Sequence, residues 1–199
     1  MPDTRADGHY GYVDCVHRLI EAQVARTPHA IAVIDRGAEL TYRELDERAN
    51  QLAHALRAAG VTIETRAGVC CMRGTDMIIA LLGVLKAGAA YVPIDPAYPR
   101  TRIEFLAGDA KLGVVVTQRA VMARLVGLAT RCICVDELAD LPTSTPATAV
   151  TADHACYVLY TSGSTGQPNG VVGTHRAIAH RLYWQQQVLP YDVGEMASA

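Results

Sequence analysis

The chain has 199 residues, of which half are hydrophobic and 19% charged, with a formal net charge of −2. That is the composition of a globular domain with a buried core, and it excludes a disordered chain. The near-neutral balance without a basic patch argues against nucleic acid or an anionic membrane as a partner.

Residues 1–12 carry Asp3, Arg5 and Asp7 and no apolar core. They read as a flexible N-terminus and not as a signal peptide. No apolar run is long enough to span a bilayer, since Met77 to Leu85 meets Lys86 within three turns. The expectation is a soluble cytoplasmic protein. Its six cysteines include no C-x-x-C pair, and most sit among apolar neighbours, as in Val69-Cys70-Cys71-Met72. They read as small core hydrophobes, and no metal-ligand set is assigned.

Val16, Leu19, Ile20 and Val24 recur at helical spacing, and Thr27-Pro28 stops that helix. Ala30 to Ile34 reads as a strand. Thr41-Tyr42-Arg43-Glu44 is a capping box that opens a helix with Leu45, Ala49, Leu52, Ala53 and Leu56 on one face, ended by Gly60. Ala67 to Met72 reads as a strand, and Thr75 to Ala87 as a helix so apolar that it must be buried on most sides.

Tyr91 to Ile94 is a third strand, with a turn at Asp95-Pro96 and Pro99 and a helix from about Arg102 to Gly108. Val114 to Thr117, a helix around Ala120 to Val126, and Cys132 to Val135 continue the alternation. Leu141 to Thr151, rich in Pro, Thr, Ser and Ala, reads as a loop before a closing strand–loop–strand–helix segment. The alternation predicts an α/β fold with a largely parallel sheet flanked by helices.

The chemistry concentrates in Cys156 to Val171, an apolar strand opening into Thr161-Ser162-Gly163-Ser164-Thr165-Gly166-Gln167-Pro168-Asn169-Gly170. Glycines turn backbone amides toward a common centre and hydroxyls add donors, which suits a polyphosphate; a flexible hairpin would also use glycine. The spacing is not that of a Walker A loop, and the segment contains no lysine. His175 and His180, in the closing helix, read as surface or packing residues.

Tyr160-Thr161-Ser162-Gly163-Ser164-Thr165-Gly166-x-Pro168-x-Gly170 closely resembles the phosphate-loop signature of the adenylate-forming superfamily. Leu40-Thr41-Tyr42-Arg43-Glu44-Leu45, and Leu85 to Pro99 with Arg102, resemble two further motifs of its amino-acid-activating branch, the adenylation domains of non-ribosomal peptide synthetases. Capping, helix termination and a rigid turn account for those two motifs, so neither is given a catalytic role.

The resemblance implies the N-terminal part of the adenylate-forming fold over residues 13–199. It implies condensation of an amino acid with ATP, assisted by Mg²⁺, and transfer to the phosphopantetheine thiol of a partner carrier protein. Thr161, Ser162, Gly163, Ser164, Thr165 and Gly166 would hold the phosphates, and Gly170 would keep the return of the loop close to the strand. The family usually has lysine where this chain has Asn169, which removes a positive charge from the phosphates.

The sequence stops before the segments that supply the family's amino-acid pocket, adenine contacts and catalytic lysine. The first expectation is therefore a partial domain, inactive alone and poorly soluble in isolation. A non-catalytic nucleotide-binding or interaction half-domain ranks second, and one half of a split enzyme with a complementing chain third.

Overall fold

A computed structural model describes residues 14–138, 140–161 and 168–189. The first helix, α1 (Val16–Arg26), ends at Thr27. It leads into an antiparallel hairpin, β1 (Ile31–Asp35) and β2 (Ala38–Thr41). Only the first of these strands is legible in the sequence. The turn joining them places Arg36 at φ 50° and Gly37 at φ 85°, and an arginine in the left-handed region hides a turn that Asn-Gly or Asp-Gly would announce.

The capping box forms as its residue spacing requires. The Thr41 hydroxyl accepts the Glu44 amide, and the Glu44 carboxylate accepts the Thr41 amide at 2.8 Å. It starts α2 (Tyr42–Ala58), which is followed by β3 (Arg66–Cys70), α3 (Thr75–Ala87), β4 (Ala90–Pro93), α4 (Arg100–Asp109), β5 (Val114–Thr117) and β6 (Arg131–Cys134). The helix expected around Ala120 to Val126 is instead a 3₁₀ turn, Arg119–Arg124. Its bonds run from Val121 back to Gln118 and from Leu125 back to Met122, and Gly127 at φ 82° stops any continuation. The closing unit is β7 (Ala155–Thr161), β8 (Asn169–Thr174) and α5 (His175–Val188).

Six strands form one sheet in the order β6-β5-β3-β4-β7-β8, parallel except for the antiparallel β7–β8 pair. Side chains alternate across it, as the two-residue period of a strand demands. Val114 and Val116 pack with Leu45, Leu52, Leu56 and Ile79 of α2 and α3. Val115, Val92 and Val158 face Ile103 and Leu106 of α4 on the opposite side. Helices therefore cover both faces, as the unbroken apolar strands predict.

The contact of α2 with α3 is close because Gly83 lies against Leu52; a Cβ there would sit 2.7–2.9 Å from three Leu52 side-chain atoms. Near the end of α3, Lys86 is buried with its ammonium 2.5 Å from Glu21 of α1 and 2.8 Å from Asp46 of α2. One charged group thus ties three helices.

The stretch from Leu141 to Val150 has no regular structure, yet it is tied down. Asn50 donates to the Thr143 carbonyl at 2.7 Å, and the His54 ring lies 2.8 Å from the Ser144 carbonyl. It carries the chain from edge strand β6 back across the sheet to β7, beside β4. No described helix is long and apolar enough to cross a membrane.

Candidate functional site

Strand β7 runs parallel to β4, with Tyr157 paired to Tyr91, and β8 returns beside it with Thr161 opposite Asn169 as the last rung. These two residues bracket the predicted phosphate segment at the carboxyl end of the parallel strands. In open α/β sheets, that end is where ligands bind. Thr161 and Gly170 are described; Ser162, Gly163, Ser164, Thr165 and Gly166 lie outside the described residues.

Gly170 pairs with Tyr160, and a Cβ on it would come within 3.1 Å of Val158 Cγ1 and 3.2 Å of Tyr160 Cζ. A side chain at that position would be tight and would require Val158 or Tyr160 to give by a few tenths of an ångström. Tyr160 is itself fixed. Its hydroxyl donates to Asp109 Oδ2 at 2.5 Å, and its ring meets Phe105 edge-on at 6.3 Å. Burial first, then the bond to Asp109, pushes the phenol up to about 12, so it stays protonated. The residue preceding Thr161 is thereby anchored to α4.

Tyr160 and Leu159 also form part of the wall of a cleft of about 650 Å³ at the ends of β3, β4 and β7. Its lining includes Arg36, Arg73 and Arg102 together with Asp95. Arg102 stacks near the rings of Tyr98 and Phe105, with centroid distances of 5.8 and 5.9 Å. Arg36 is ion-paired with Asp35 at 3.9 Å, which leaves Arg73 and Arg102 against Asp95, a balance that favours an anionic occupant. Sequence reasoning singled out Arg102 as part of a motif but missed the other two. Arg36 and Arg73 come from separate turns and converge only through the fold.

The cysteines form no disulfide among the described residues, and all but half-buried Cys132 are buried. Burial pushes the thiols of Cys70, Cys71 and Cys156 up to about 11, 12 and 12, so they are poor nucleophiles. His175 is buried, 1% exposed, and edge-on to His17 at 5.5 Å between ring centroids. His180 is half-buried.

Residues 20–196 match the family model described as AMP-binding enzyme. The chain is 47% identical over 171 residues to a linear gramicidin synthase protein of Brevibacillus parabrevis, covering 85% of this chain and 2% of that synthase. Among solved structures it resembles the AMPPNP-bound form of the non-ribosomal peptide synthetase FmoA3. The TM-score is 0.86 at 32% identity, over 94% of this chain and 20% of that one. It also resembles the N-terminal subdomain of Klebsiella oxytoca NpsA in complex with 3-hydroxybenzoyl-AMSN. There the TM-score is 0.75 at 26% identity, over 86% of this chain and 44% of that subdomain. The chain therefore spans only a small share of the synthases it matches, and under half of one N-terminal subdomain. With a model match across most of its length and a TM-score of 0.86 to a solved relative, the chain belongs to the AMP-binding enzyme family and is homologous to the adenylation domains of non-ribosomal peptide synthetases.

Proposed function

We propose that this chain supplies the scaffold and phosphate-binding segment of an adenylation domain that activates an amino acid with ATP for loading onto a carrier protein. The observation that carries this reading is the Thr161–Asn169 rung, which brackets the glycine- and hydroxyl-rich segment at the carboxyl end of the parallel strands. The residues fit a polyphosphate. Gly170 keeps the close approach where the segment rejoins the sheet uncrowded, and the adjacent cleft carries three arginines.

ATP would supply an activated α-phosphorus and pyrophosphate as leaving group, with Mg²⁺ sharing the charge; no residue of this chain is assigned to the metal. The Thr161 hydroxyl and the backbone amides of Ser162 to Gly166 would hold the β- and γ-phosphates. In such a reaction the protein contributes positioning and charge neutralisation, not covalent chemistry. Tyr160, locked to Asp109, would keep Thr161 in place. Asn169 would donate a neutral hydrogen bond where a lysine would add charge. No residue given a role here selects the amino acid or the carrier's phosphopantetheine arm, so the chain alone would not complete the reaction.

A complementing polypeptide has one supporting observation. Leu159 and its rung partner Val171 are exposed on the β7–β8 pair, and Leu182, Tyr183 and Trp184 are exposed on α5. Exposed apolar side chains in such numbers favour a protein contact.

The test is binding of AMPPNP to the purified 199-residue chain by calorimetry, beside amino-acid-dependent ATP–pyrophosphate exchange. The expected result is AMPPNP binding that pyrophosphate competes and Gly170→Val abolishes, without exchange. A folded chain that ignores AMPPNP and pyrophosphate would end the phosphate-site reading. Exchange by the chain alone would overturn its partial role.

A further inference from the structure

Cys15, His17 and His175 come together beyond the end of β8 opposite to the Thr161–Asn169 rung. Cys15 caps the start of α1, His17 lies in its first turn, and His175 opens α5. One donor atom from each lies within 4.8 Å of the others, and the residues are 0%, 3% and 1% exposed. His17 Nδ1 is buried and has no hydrogen-bond partner. Leaving a polar nitrogen so placed is costly in a folded interior, and such an atom calls for an occupant.

We propose that these three residues form a thiolate–bis-imidazole site for a zinc-class divalent cation, clamping the start of α1 to the start of α5. One sulfur and two ring nitrogens are a donor set that Zn²⁺ accepts, with the three-ligand count of an open zinc site. The donor atoms lie within 4.8 Å of one another, so binding needs only a small inward adjustment. Three existing contacts set the cost. The Cys15 thiol donates to the Val150 carbonyl at 3.6 Å, and the Val16 amide donates to His175 Nδ1 at 3.2 Å. The first is released when the thiol ionises, and the second yields the single lone pair of a neutral ring to the metal. The third contact, the Asp14 carboxylate on the Cys15 amide at 2.7 Å, stays, with its charge shared by the Arg18 guanidinium at 3.1 Å.

The balance is simple. Both rings are neutral at physiological pH, because burial holds them well below the usual imidazole range. They therefore lose no proton on binding. The thiol loses one, which leaves to solvent, and a sulfur–metal bond replaces the sulfur–hydrogen bond.

Chelator-stripped chain titrated with Co²⁺, a spectroscopic substitute for zinc, tests this. The expected result is a thiolate-to-cobalt absorption band saturating at one equivalent and bleached by one equivalent of Zn²⁺. Cys15→Ser removes the band with the circular dichroism intact, Cys156→Ser keeps it, and His17→Gln weakens cobalt binding at least tenfold. Should Cys15→Ser fail to fold, His17→Gln and a zinc-induced rise in the wild-type Tm decide instead. No band at stoichiometric cobalt, or a band undiminished in Cys15→Ser or in His17→Gln, overturns the proposal and leaves the cluster as packed, metal-free core.

Discussion

Lys86 and Asp46 form an ion pair of 2.8 Å across the contact of α3 with α2, with the lysine side chain wholly removed from solvent. Glu21 of α1 completes the group at 2.5 Å. Removing the lysine strands two carboxylates against an apolar interior, the arrangement in which breaking a buried pair costs most. Lys86→Met is expected to lower unfolding stability by about 3 kcal/mol, discounted because Glu21 keeps a quarter of its side-chain exposure. Adding Asp46→Asn to that variant should recover part of the loss. Urea denaturation of the two variants and wild type checks both statements.

Gly83→Ala sets two effects against each other. Alanine gains about 1 kcal/mol of helix propensity over glycine. Its Cβ would come within 2.7–2.9 Å of Leu52, including the rigid Leu52 Cβ, in a fully buried contact. Overpacking of that kind costs about 1–3 kcal/mol, so the clash should win and the net change should be a loss of about 1 kcal/mol. A more stable Gly83→Ala protein in the same denaturation series would show that the helices slide apart freely.

His17 and His175 should make the chain acid-sensitive. Burial holds their rings at about 3 and about 4, each helped by a neighbouring histidine, His175 for the first and His154 for the second. In the unfolded chain both titrate near the ordinary value of about 6.5. Between those limits the unfolded state binds more protons, so stability is complete above about pH 6.5 and falls as pH drops toward 4. The slope should approach about 2.7 kcal/mol per pH unit if both rings contribute fully. Denaturation midpoints from pH 7 to 4.5 with chelator present measure it, and His17→Gln should reduce the slope by up to half.

Asn169→Lys should strengthen binding of AMPPNP and pyrophosphate about three- to tenfold, the return on a partly solvated charge contact. The position is the first β8 residue, paired to Thr161, so the new ammonium is delivered at the mouth of the proposed site. Calorimetry at two salt concentrations reads this, since a charge contact weakens as salt rises. Unchanged affinity would mean that residue 169 does not face the phosphates.

Val172→Lys tests the exposed edge strand β8. Val172 is 55% exposed, and Trp184 on α5 likewise. A charge on this edge strand should reduce self-association of the isolated chain without lowering its melting temperature. A wild-type chain that is already a clean monomer by sedimentation would remove the premise.

Much of the scaffold is legible in the sequence because local rules and tertiary packing agree. The Thr41–Glu44 box, the apolar α3 and the valine run of β5 each carry their own signal. The β1–β2 hairpin is hidden because Arg36 holds a conformation that its residue type does not advertise. The 3₁₀ turn at Arg119–Arg124 is misread as a helix because apolar spacing over six residues fits both. At the candidate site, the glycine–hydroxyl segment is written in consecutive residues and so can be read. The arginines of the cleft and the Cys15–His17–His175 cluster come from distant segments, and no sequence spacing announces them.

The tethered stretch from Leu141 to Val150 bears on timing. Strands β3 to β6 are completed before the chain recrosses the sheet to lay β7 against β4. A ribosome therefore delivers the residues of the proposed phosphate site only after the neighbours that receive them have been made. The non-local closure should be a late step, because a long segment must be ordered before its contacts repay the loss of entropy. Pulse-labelled hydrogen exchange during refolding should protect the amides of β3 and β5 before those of β7, so that the scaffold precedes its site.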